Sequence, residues 1–172
     1  MKIFTVVVAL FLFCSPWGAR AETFIEVKFG ENPPHLYVVQ NGEIKVKYMV
    51  AVARPNIKLQ LPIEGSVTQI QVQAPWYPTQ KSRDAYAEQH KGSLLPAIIP
   101  YGDPRNMMGA GKMLLAFPQG WTNKPLRIHG TTVPSSIGKR VSSGCVRMLD
   151  ADFLDLAQIL ASEKLPIKMF WR

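Results

Sequence analysis

The stretch from Arg127 to Asp150, RIHGTTVPSSIGKRVSSGCVRMLD, holds the residues of this chain best suited to do chemistry together. Cys145 is a nucleophile once its proton is removed, and His129 is a base that can remove it if the fold brings the ring within hydrogen-bond reach. Gly144 lets a substrate carbonyl approach the backbone closely, so amides around Gly144 and Cys145 can form an oxyanion hole. Arg147 can grip a carboxylate or an anionic intermediate in bidentate fashion, or orient its own loop. Ser142 and Ser143 can bond the imidazole, the thiolate or neither. No metal is expected, because three scattered histidines and one remaining cysteine show no ligand spacing.

What surrounds this stretch sharpens the reading of the thiol. Lys2, the apolar run IFTVVVALFLF and the ending Ala19-Arg20-Ala21 form the pattern of a secretory signal peptide over residues 1–21. The apolar run is too short to span a bilayer, so no transmembrane segment is expected after cleavage. Cys14 invites a lipoprotein reading, which the bulky Phe13 before it suits poorly. Cleavage leaves Cys145 as a lone thiol in an oxidising compartment, where cysteines are normally paired. Such a thiol is either buried and inert or kept for its reactivity. The leader also takes two basic and no acidic residues, so the net charge falls from +8 to +6. That charge suits a polyanionic surface in the periplasm or cell envelope, or simply solubility; export argues against nucleic acid as a partner.

The elements that must position Cys145 and His129 read as mostly β. The length of 172 residues fits one domain over residues 22–172, large enough to bury a core. Thr23 to Phe29 alternates as a half-buried strand does, His35 to Gln40 is a second strand, and Asn41-Gly42 signals a hairpin into Glu43 to Val52. Pro62 and Gly65 mark a turn before Ser66 to Gln73. Trp76, held between Pro75 and Pro78, either walls a cleft or plugs the core. Thr79 to Lys91 reads as a loop or short exposed helix and as a lid over a site. Tyr101 opens a turn that runs to Asn106, and Lys112 to Phe117 is a buried strand. Pro125 to His129 delivers the histidine at a strand end. Asp150 to Glu163 is the one clear helix, with Asp150 as its cap, and Ile167 to Trp171 closes the sheet as a last strand.

With those residues in place, the chain resembles the L,D-transpeptidase catalytic domain, or YkuD domain. In that family a histidine-glycine pair precedes serine, any residue, glycine, cysteine, a branched apolar residue and arginine. Here these are His129-Gly130 and Ser142-Ser143-Gly144-Cys145-Val146-Arg147. Ala74 to Pro78 and Gly102 to Gly109 also resemble family segments. The chain departs from the family pattern at Leu61-Pro62-Ile63-Glu64-Gly65, at Asn106-Met107-Met108-Gly109 and at Ala53, which bears on the shape of the cleft more than on the chemistry.

The resemblance implies a β-sandwich-like domain with one C-terminal helix, and a cysteine enzyme without cofactor acting on peptidoglycan stem peptides. Cys145 and His129 would be catalytic, with the Gly130 carbonyl orienting the ring. Gly144, Ser143, Ser142, Arg147, Trp76 and Tyr101 would line the substrate. The acyl group would pass to an amine of a second stem or of a wall-anchored protein. A hydrolase on the same scaffold, in which water resolves the thioester, and a non-catalytic wall-binding module are the alternatives.

Overall fold

The computed structural model describes residues 22–172, so the expected leader lies outside the described residues. Ten strands and two helices follow in order: β1 Thr23–Lys28, β2 His35–Gln40, β3 Glu43–Met49, β4 Val52–Ala53, β5 Ile63–Val72, α1 Gln80–Gln89, β6 Gly111–Ala116, β7 Arg127–His129, β8 Arg140–Ser142, β9 Val146–Arg147, α2 Asp150–Leu160 and β10 Ile167–Trp171. Eight strands form one mixed sheet in the order β3-β2-β1-β10-β5-β6-β7-β9, and β4 pairs with β8. The fold is mostly β, as expected.

The β2–β3 hairpin turns at Asn41 and Gly42, whose φ of 55° and 80° suit the tight two-residue turn that Asn-Gly favours. Beyond β3 the chain crosses to the far side of the sheet. There Ala51 exchanges both backbone hydrogen bonds with Arg147 of β9, each 2.8 Å long. The sheet is therefore curled until the segment leaving one edge strand seals the other.

Inside the curl, Ile25, Val38, Val67, Met113, Ile128, Val146 and Met169 are fully buried together with Phe153 and Leu156 of α2. A strand that alternates in water on one face and core on the other gives this pattern at every second residue. On α2 the buried positions are Phe153, Leu156, Ala157 and Leu160, the apolar stripe of a helix lying on a sheet.

Several expectations are corrected. β10 is the last strand, as expected, but it lies inside the sheet, parallel to β1 and antiparallel to β5. Its buried Ile167, Met169 and Trp171 explain the central position. Gly65 is not in a turn but inside β5, opposite Met169. A Cβ there would stand 2.7 Å from the Ala116 carbonyl oxygen, so the glycine permits a close strand contact. The stretch left open between loop and helix is α1, capped by Thr79 Oγ1, which accepts from Ser82 N at 3.2 Å. None of its residues is buried. α2 is thus the second helix, not the single one.

Candidate active site

His129 ends β7 and Cys145 immediately precedes β9. The two strands run parallel, with Ile128 opposite Val146 and His129 opposite Arg147. Ile128 and Val146 point into the core. Alternation therefore puts Arg127, His129, Cys145 and Arg147 on the other face of the sheet. Lys112 of β6 faces His129 across the ladder, and Leu114 faces Arg127. Cys145 is a free thiol, half-buried, one step diagonal from the histidine.

The backbone around the thiol is pinned on both sides. Met148 N donates to the His129 carbonyl at 2.9 Å, and Arg54 N donates to the Ser142 carbonyl at 3.0 Å. Ser142, only 1% exposed, turns its Oγ onto the Gly144 N–H at 3.1 Å. It supports the loop from beneath rather than facing a ligand. The Gly144 amide is consequently engaged in this state, while Ser143 is exposed and its Oγ accepts from Arg54 Nη2 at 3.0 Å. Gly144 has a φ of +135°, and a Cβ there would lie 2.7 Å from Leu126 Cδ2. Both facts require glycine at this position.

His129 is 4% exposed, and its Nδ1 lies 2.6 Å from the Gly130 carbonyl oxygen. A neutral ring in this contact carries its proton on Nδ1 and leaves Nε2 as a base. Burial pulls the imidazole down to about 4; the Gly130 carbonyl opposes the shift, the Arg147 charge adds to it, and the Met107 carbonyl opposes it. Burial likewise pushes the Cys145 thiol up, against a hydrogen bond from the Arg127 backbone and the charges of Arg127 and Arg147. Both groups are therefore neutral at rest, a thiol beside an imidazole rather than a thiolate beside an imidazolium.

Asp150 is not the cap expected of it. Leu149 occupies the N-cap position and offers no side-chain cap bond. Asp150 Oδ1 instead accepts from Ala110 N and Thr131 N, both at 2.9 Å, which ties the turn after β7 to the chain entering β6. Gly109 and Gly130 leave the space this carboxylate fills, since a Cβ at either position would collide with it.

Trp76 and Tyr101 lie on a neighbouring wall and hydrogen-bond neither His129 nor Cys145. Half-buried Trp76 exchanges backbone bonds with Ile99, and Tyr101 is 49% exposed. Lys112 Nζ bonds the Pro75 carbonyl at 2.7 Å and sits 4.9 Å from the Tyr77 ring centre, so the proline-flanked segment overlies the face that bears His129. Buried Asn106 completes this wall: its Nδ2 lies 3.0 Å from the Ala74 carbonyl and 3.1 Å from that of Pro100, and its Oδ1 accepts from Met108 N. The sequence placed Asn106 in a turn and in a segment resembling the family, but gave it no site role, and its apparent exposure in that turn hid a fully bonded amide. Among the described residues, no group of three or more His, Cys, Asp or Glu side chains could hold a metal ion.

Comparison with known proteins shows the family and the fold. The family model described as YkuD, L,D-transpeptidase catalytic domain, matches residues 25–167, and the chain belongs to that family. It is 38% identical over 77 residues to the probable L,D-transpeptidase ErfK/SrfK of Salmonella typhimurium, a match covering 45% of this chain and 22% of that protein. It is 39% identical over 93 residues to the probable L,D-transpeptidase YcfS of Escherichia coli, covering 54% and 27%. The chain thus matches about a quarter of the length of these curated relatives. Among solved structures, an L,D-transpeptidase from Mycobacterium smegmatis superposes with a TM-score of 0.58 at 12% identity, over 88% of this chain and 59% of that one. The catalytic domain of the Enterococcus faecium enzyme, acylated by ertapenem, gives 0.55 at 14% identity over 90% and 100%. At these identities the likeness is one of fold.

Proposed function

We propose that this protein is an exported peptidoglycan L,D-transpeptidase in which Cys145 is the nucleophile and His129 the base. The observation that carries the reading is the shared sheet face: a free thiol and a buried neutral imidazole lie diagonal to each other, with Nδ1 held by the Gly130 carbonyl. Family membership supplies the substrate class.

In this mechanism the thiol proton moves to His129 Nε2 as Sγ attacks the carbonyl between an L-centre and the terminal D-residue of a stem peptide. A tetrahedral oxyanion forms and is stabilised by amides of the Ser143–Cys145 turn; Gly144 N–H must exchange its bond to Ser142 Oγ to take part. The C–N bond then breaks, the departing amine takes the proton from Nε2, and a thioester remains on Cys145. An amine of a second stem, or of a wall-anchored protein, attacks the thioester. His129 receives its proton and returns one to the sulfur as it leaves.

Because both groups rest neutral, proton transfer accompanies attack and no preformed thiolate is needed. A neutral thiol is also a poor target for oxidants, which fits a lone cysteine in an oxidising compartment.

The test is intact mass and product analysis with a tetrapeptide stem. The wild type should gain an acyl adduct and release cross-linked dimers, and Cys145→Ala, folded by circular dichroism, should do neither. Shortened monomers alone would replace transfer with hydrolysis. Absence of any adduct on folded wild-type protein would leave only a binding role.

A further inference from the structure

Two guanidinium groups, of Arg127 and Arg147, act on the thiol, and that of Arg54 sits on the same loop at Ser143; among the described residues none of the three has an anionic partner. Arg127 Nη1 bonds the Leu126 carbonyl at 2.7 Å, and Arg54 Nη2 bonds Ser143 Oγ at 3.0 Å. Arg147 is half-buried opposite His129. The charges of Arg127 and Arg147 both act on Cys145, and that of Arg54 acts on Arg147. Among the described residues the carboxylates that pair with cations do so elsewhere, as in Arg105–Asp103, Arg172–Glu26 and Lys168–Glu22. Asp150, the acidic residue nearest in sequence, is committed to two backbone amides.

Placing like charges together in a partly desolvated site is unfavourable unless something anionic joins them. Arginines held only by neutral acceptors keep their remaining N–H groups for a ligand, and their fork geometry suits carboxylates.

We infer that Arg54, Arg127 and Arg147 form a carboxylate cradle beside Cys145, which makes this enzyme selective for acyl-donor stems whose side carboxylates are free rather than amidated. The inference rests on the transpeptidase reading for the identity of the donor and goes beyond it in naming which chemical form of the stem is accepted. Arg54 and Arg127 act here as specificity residues; neither takes part in proton transfer.

The experiment uses two tetrapeptide stems that both keep the terminal carboxylate. One has free side carboxylates, and the other has them capped as carboxamides. Wild-type kcat/KM for acylation should favour the free acid by about tenfold or more, the worth of one charge-assisted contact. Added salt should narrow the ratio. Arg54→Gln and Arg127→Gln should bring the ratio towards one mainly by slowing the free acid, while Arg127→Lys should restore part of it. Equal wild-type rates on the two donors, or a ratio unchanged in the double glutamine variant, would overturn the cradle and leave the transpeptidase reading standing. Binding of both peptides to Cys145→Ala separates the opposite case: tighter binding of the free acid without turnover in the wild type would retain the cradle and reject the transpeptidase.

Discussion

At the scale of single residues, burial has done to His129 and Cys145 what neighbouring charges do in many thiol enzymes, but with opposite sign. The imidazole sits near 4 where a free one sits near 6.5. Between those values the unfolded chain binds a proton that the native protein refuses. Stability should therefore be flat above the unfolded value and fall as pH drops towards 4, by on the order of 3 kcal/mol from this group. Urea unfolding of wild type and His129→Gln across that range measures it. The wild type should lose more stability than the variant between neutral and acidic pH, and parallel curves would refute a buried neutral histidine. The two residues stood out together through the resemblance of His129-Gly130 and Ser142 to Arg147 to the family motif, since a cysteine and a histidine alone are a weak signal. Their protonation states were not legible, since burial belongs to the whole sheet.

Among the elements, the legible ones were those long enough to show a period. β1, β2, β3 and α2 each repeat an apolar pattern over six or more residues. β4, β8 and β9, at two or three residues each, have no period to read, yet they hold the cysteine loop. Asp150 shows the same limit from another side. An acidic residue at the start of an apolar helix has the composition of a cap, and only the positions of Gly109 and Gly130 reveal that the carboxylate bonds across the sheet instead. Asp150→Ala should leave the Ala110 and Thr131 amides without their acceptor, costing about 1–3 kcal/mol in a urea titration. Because Thr131 adjoins the Gly130 carbonyl that holds His129, acylation should slow as well. Asp150→Asn keeps an oxygen acceptor and should recover most of both losses; an alanine variant as stable as wild type would show the two bonds to be dispensable.

Across the whole molecule, aromatic rings from four separate places in the chain meet at the base of the curl. Trp171 lies 5.2 Å from Phe29, 5.0 Å from Phe117 and 6.1 Å from Trp121, measured between ring centres. The Trp121 indole N–H in turn donates to the Gln60 carbonyl at 2.9 Å. Trp171→Ala should cost about 3–5 kcal/mol, because several elements close on this ring and cannot collapse independently into the gap. Thermal or urea denaturation reads the change, and a loss below 1 kcal/mol would mean the cluster repacks. The sequence pointed to a mostly β domain with one core. It could not show that the last strand lies in the middle, since a strand's apolar content reports how deeply it is buried and not beside which partners.

The central placement of β10 also sets the order in which the fold becomes possible. Within the eight-stranded sheet, the half β3-β2-β1 and the half β5-β6-β7-β9 are joined by Ile167–Trp171, and outside it by the Ala51–Arg147 bridge and the β4–β8 pair. Until those residues are available, each half has an open edge facing the place where its partner strand will arrive. A ribosome must therefore deliver almost the entire described chain before the two halves can join, and the long sequence separation between β1 and β10 slows the joining further.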